Sequence, residues 1–116
     1  MEKTITIGDK EINMKVNANT PARYREEFGK DLIVELHKFM NHIDKSGNLT
    51  GDFDFGVVER LAYTMSKQGG SEAKNIDEFL DQFEGIDDVY LAMGDIIGLW
   101  TDSKKSSSVP KKKVNQ

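Results

Sequence analysis

The chain has no cysteine, only two prolines, a single tryptophan and no apolar run of membrane-spanning length. Without thiols there are no disulfide staples, thiolate zinc sites or cysteine nucleophiles. A bilayer-crossing helix needs roughly 20 consecutive apolar residues, and nothing in the sequence approaches that. Met1-Glu2-Lys3 leads directly into alternating residues rather than an apolar leader, so a cytoplasmic protein is expected. Nucleophile elbow, Walker loop and dinucleotide fingerprint are all missing as well.

At 116 residues with 37% hydrophobic content, the chain suits one domain with one core. Its net charge of -4 is unevenly distributed: all 20 acidic residues precede Ser103, whereas five of the 16 basic residues fall in Lys104 to Lys113. The body is therefore acidic and the tail basic. An acidic body argues against a fold built to grip phosphate backbone.

Thr4 to Ile7 and Glu11 to Val16 alternate around Gly8-Asp9-Lys10, predicting a hairpin with one apolar face of Ile5, Ile7, Ile12, Met14 and Val16. A lone two-stranded ribbon is marginal in water, so that face must rest on helices. TPARYREEFGKDLI, Thr20 to Ile33, reads as a helical elbow: Thr20 as N-cap, Pro21 in the first turn, Gly29 as a left-handed stop, and Asp31 capping the next helix. That next helix carries Leu32, Leu36, Phe39 and Ile43, widened by Ile33 and Met40, all expected in the core. Beyond a turn at Ser46 to Gly51, a third helix with Val58, Leu61, Ala62 and Met65 stops at Gly69-Gly70. Asn75 and Glu78, at capping-box spacing, start a short fourth helix with Ile76, Phe79, Leu80 and Phe83 on one face. A last helix is expected from about Asp87 to Thr101, its stripe running from Ile86 through Tyr90, Met93, Ile97 and Trp100, with Val89 and Ile96 beside it.

The expected fold class is therefore α+β and mostly helical, an N-terminal β-hairpin on a bundle of four to five helices. Residues 1–102 form a single globular domain and residues 103–116 a flexible, disordered Ser/Lys-rich tail.

Few residues invite chemistry. Asp44, Ser46 and Asn48 alternate like calcium ligands, but Leu49 and Phe55 occupy the places where an EF-hand needs glycine and glutamate, so the loop reads as a polar turn. His37 and His42 are five residues apart and fall on different helix faces, so they do not make a helical zinc pair. No catalytic residue, metal site or cofactor is assigned, and an enzyme is not expected. Arg23 and Arg25, with Glu26 and Glu27, crowd the elbow helix as a solvated face or as a charged rim for an interface. On the last helix, Leu91 and Leu99 flank Asp95 opposite the main stripe, near Gly94 and Gly98. Either that helix is buried on most sides, or Leu91, Asp95 and Leu99 form a protein-binding face.

In this order, the hairpin ITIGDKEINMKV, the elbow TPARYREEFGKDLI, the helix ERLAYTMSKQ, the segment IDEFLDQFEG, a helix ending in GLW and the tail SSSVPKKK, the chain resembles the tail assembly chaperones of long-tailed (siphovirus-type) bacteriophages and prophages. The resemblance spans nearly the whole chain and is most specific in the elbow and in the stretch from FLDQFEG to LW. It implies a non-catalytic protein that binds the tape measure protein, keeps that long apolar chain soluble and assists tail tube assembly. The implied partners are the tape measure protein, the tail tube protein and further copies of itself, with no membrane and no specific nucleic acid. It also implies the host cytoplasm as location and absence from the mature virion. A frameshifted longer product is common in the family, and Lys111-Lys112-Lys113 is compatible with an A-rich slip site. The alternatives are a structural tail or oligomer subunit and a small nucleic-acid-binding regulator using the tail and elbow arginines.

Overall fold

The structure, a computed structural model, describes the backbone of residues 1–114 and the side chains of residues 1–103. It is an α+β fold: a two-stranded antiparallel hairpin on six helices. Strands β1 (Glu2–Ile7) and β2 (Lys10–Lys15) pair Ile5 with Ile12 and Ile7 with Lys10, which leaves a two-residue turn. Gly8 takes φ +63 in that turn, the positive value a II′-type hairpin needs at its first central position. Because side chains alternate along a strand, Ile5, Ile7, Met14 and Val16 all point inward and are buried.

Helix α1 (Thr20–Phe28) ends at Gly29 in the left-handed conformation, and the Asp31 carboxylate caps α2 (Leu32–Met40) by accepting from the Val34 N–H at 3.1 Å. The start of α1 differs from expectation. Thr20 makes no capping bond. Its buried hydroxyl instead accepts from the Asn17 N–H at 3.0 Å and donates to Gln68 Oε1 at 2.6 Å, tying the elbow to the far end of α3 (Gly56–Gln68).

Helix α3 is the hub, packing against β2, α1, α2, α4 (Ile76–Asp81) and α6 (Met93–Val114). The single stripe read from the sequence understates it, because Tyr63, Thr64 and Ser66 are buried too. Burial of the two hydroxyls is tolerated because each is satisfied inside the helix: Thr64 donates to the Arg60 carbonyl at 2.8 Å and Ser66 to the Tyr63 carbonyl at 2.7 Å. At the end of α3, Gly69 has an ordinary negative φ. What it provides is room, since a Cβ there would overlap the Asn13 carbonyl of β2. The Asn75 carboxamide caps α4 through the Glu78 N–H at 2.8 Å, while Glu78 reaches back to the Lys74 N–H rather than to Asn75. An aromatic relay, Tyr24–Phe28–Tyr63–Phe79–Phe83, links α1 to α4 through α3 with ring centroids 5.2 to 6.1 Å apart.

The last helix is broken. A single turn, α5 (Asp88–Leu91), is separated from α6 by Ala92, whose N–H is shared among the carbonyls of Asp88, Val89 and Tyr90. The break changes which side chains face inward: the buried set is Val89, Ala92, Ile96, Ile97, Leu99 and Trp100, while Tyr90 and Ile86 of the expected stripe are exposed. Helix α6 is continuous in backbone to Val114. The side chains of the expected tail from residue 104 onward lie outside the described residues. Among the described residues no helix is long and apolar enough to cross a membrane.

Candidate protein-binding surfaces

Ionisable side chains converge at the junction of α1, α2 and α3, around Arg60. Its guanidinium donates to the Tyr24 hydroxyl at 2.8 Å, to Glu35 Oε1 at 3.2 Å and to Asp54 Oδ2 at 2.9 Å, and Tyr24 donates to Glu35 at 2.5 Å. Burial, reinforced by the bond to Glu35, pushes the Tyr24 phenol far above its ordinary range. Burial works against the Arg60 charge, but the bonds to Asp54 and Tyr24 outweigh it and raise its pKa. The bond from Arg60 holds the Asp54 carboxyl below the usual carboxylate range. Arg60 joins Tyr24 of α1, Glu35 of α2 and Asp54 ahead of α3, so the cluster acts as a clasp that ties these three elements together.

Beside the clasp lies a cleft of about 340 Å³ lined by Glu35, Lys38, Phe39, His42, Asp52, Phe53, Asp54 and Val57. Its histidine is occupied structurally, Nδ1 lying 2.8 Å from the Thr50 carbonyl oxygen. The Asp44 loop is a polar turn in which Asp44 Oδ1 accepts from the N–H groups of Ser46 and Asn48, both at 2.9 Å. Among the described residues no group of three His, Asp or Glu side chains is placed to hold a metal ion.

The residues singled out from the sequence do not form one site. Arg23 and Arg25 are exposed on α1, which packs on α2 and α3. Leu91 is 72% exposed on α5, which packs on β1 and α6, and Asp95 is exposed in the first turn of α6. Leu99 corrects the expectation: at 3% exposure it belongs to the core, three residues along α6 from the buried Ile96 and beside the buried Trp100, on a stretch of helix covered on most sides. The face proposed from Leu91 and Leu99 therefore exists only at its Leu91 end.

Two apolar surfaces that the sequence reading placed in the core take its place. On α2, Ile33 and Met40 are exposed at 55% and 41%, and helical geometry puts both on one flank of the buried Leu32/Leu36/Phe39 stripe. Ile33 also lines a groove of about 410 Å³ with Met1, Val16, Pro21 and Trp100. At α5, Ile86 in the preceding turn is fully exposed, and on the helix Tyr90 is half exposed beside Leu91. Asp88 sets this second surface in place: its carboxylate accepts from the Gly85 N–H at 3.0 Å and fills the space that a Cβ on Gly8 or Gly85 would need. One sequence signal pointed to exposure here, the Gly85 stop immediately before Ile86. Nothing local distinguished Ile33 and Met40 from core.

A scan against protein-family models and searches of curated proteins and of solved structures found no match to this chain.

Proposed function

We propose that this protein is a tail assembly chaperone of a long-tailed bacteriophage or prophage, binding the tape measure protein in the host cytoplasm, keeping it soluble while the tail tube assembles, and leaving before the virion is complete. The motif order from hairpin to GLW supports the family. The observation that carries the mechanism is the apolar flank of α2 running into the groove of Val16, Pro21, Ile33 and Trp100. A groove beside an exposed apolar helix flank suits an amphipathic helix laid along it, with anchors at helical spacing. Completing the burial of a half-exposed Ile or Met contributes about 1 kcal/mol per side chain, enough in sum for reversible holding. The chaperone reading is non-catalytic and requires no cofactor.

Co-expression with the tape measure protein tests it. The tape measure protein should be soluble with the chaperone and aggregated without it, and Ile33→Asp with Met40→Asp should abolish the rescue. Unchanged solubility, or recovery of this chain from purified mature particles, would overturn the reading and favour a structural tail subunit.

A further inference from the structure

We propose that Met40 is an oxidation switch on the apolar flank of α2: conversion of its thioether to the sulfoxide by a peroxide closes that flank to a partner helix and leaves the fold intact. The proposal rests on the chaperone reading and adds a control to the same surface. With no cysteine in the chain, methionine is the side chain a peroxide oxidises most readily. The five methionines divide by exposure. Met14 and Met65 are fully buried and Met93 is half-buried against the core, whereas Met40 is 41% and Met1 48% exposed. Both exposed methionines belong to the surface around Ile33. Met1 lines the same groove, and Met40 follows two turns later on the same flank of α2, roughly 10 Å along the axis. The surface that would hold the partner is thus the one whose sulfurs are open to oxidants.

In the reaction, a lone pair on Met40 Sδ takes one oxygen of hydrogen peroxide. The O–O bond breaks as the S–O bond forms, the proton of the transferred hydroxyl passes to the departing hydroxide, and water leaves. Sulfur is oxidised by two electrons and the peroxide is reduced by the same two. The product is a polar, chiral side chain whose oxygen accepts hydrogen bonds and donates none. In the free protein that oxygen stays in water, because Met40 is exposed, so folding is little affected. Beneath the apolar face of a docked helix it meets no donor, and burying an unpaired acceptor opposes docking. At Met14 or Met65 the same oxygen would enter the core, but neither side chain is accessible to solvent. Methionine sulfoxide reductases return both epimers to the thioether with a dithiol as reductant, which resets the switch.

Hydrogen peroxide treatment of the full chain, followed by peptide mapping in a mass spectrometer, tests the site. Met40 should oxidise at least about tenfold faster than Met14 and Met65, with the urea unfolding midpoint unchanged. The oxidised chain should bind less of a hydrophobic-surface dye. About tenfold more of it should be needed to keep the same amount of tape measure protein soluble on dilution from denaturant. Reductases for both sulfoxide epimers should reverse both losses. Met40→Leu, measured before and after peroxide against its own untreated sample, should change by no more than about twofold in either assay, which separates Met40 from the still oxidisable Met1. Equal oxidation of buried and exposed methionines would overturn the proposal. So would a sulfoxide at Met40 that leaves dye binding and holding unchanged, or an equal loss in Met40→Leu. An untreated chain that holds no tape measure protein would instead count against the chaperone reading, while mapping and dye binding would still decide whether oxidation of Met40 closes the flank.

Discussion

Arg60 holds three acceptors from three places in the chain, Tyr24 from α1, Glu35 from α2 and Asp54 ahead of α3, with its Cζ 6.0 Å from the centre of the Tyr24 ring. Truncating it to methionine would leave Tyr24 and Glu35 without their shared donor in a partly buried setting. Removing one member of a fully buried pair costs roughly 3–5 kcal/mol, and partial exposure of the carboxylates argues for less, about 2 kcal/mol. Urea unfolding of Arg60→Met should show that loss. Tyr24 adds a pH signature. Its phenol pKa is raised in the fold above the ordinary 10.0, so its contribution is complete below pH 10 and is lost as the pH climbs above that value. Tyr24→Phe should lower stability at neutral pH by about 1 kcal/mol and flatten the alkaline decline between about pH 10 and 11.5. A decline as steep as that of the wild type would assign it to other groups.

Among the elements, glycines of different purpose give opposite expectations. At Gly69 a Cβ would overlap the Asn13 carbonyl of β2, and Asn13 Nδ2 donates to the Gly69 carbonyl at 2.9 Å, so this is where the hairpin is fastened to the end of α3. Gly69→Ala must push β2 off α3 and should cost about 2 kcal/mol or more, in the range of overpacked sites. Gly98 lies within α6 with no positive φ, and the space a Cβ would occupy is open, with nothing within 4 Å of it. Gly98→Ala should therefore stabilise by about 0.5–1 kcal/mol through helix propensity alone. Thermal unfolding of the two variants should shift in opposite directions. The same comparison shows which parts were legible in the sequence. The hairpin, the Gly29 stop and the Asp31 and Asn75 caps were legible because each is decided within a few residues. The central position of α3 was not, since Thr64 and Ser66 look like surface residues until their hydroxyls are paired within the helix. The course of the chain around Ala92 was not legible either: the break there separates Ile86 and Tyr90 from the stripe that Ile97 and Trp100 continue, while Leu99 is buried because α6 is covered on more than one side.

For the whole molecule, the distribution of apolar surface separates what holds the fold from what the fold presents. The core is continuous from Ile5 and Met14 of the hairpin through Leu36, Leu61 and Phe79 to Ile96, while Ile33, Met40, Ile86 and Leu91 stay in solvent around it. A side chain already exposed in the native state gains little on folding, so replacing it with a polar one changes stability only slightly. A variant carrying Ile33→Ser, Met40→Gln, Ile86→Ser and Leu91→Ser should keep its unfolding free energy within about 1 kcal/mol of wild type, whereas Leu36→Ala alone should lose about 2–5 kcal/mol. The fourfold variant should also bind less of a hydrophobic-surface dye at equal concentration, because the surfaces it removes are the exposed apolar ones. A loss of several kcal/mol would mean that these four residues are covered in the native protein. Retained stability with reduced dye binding would place them on surface available to other chains, as the chaperone reading requires.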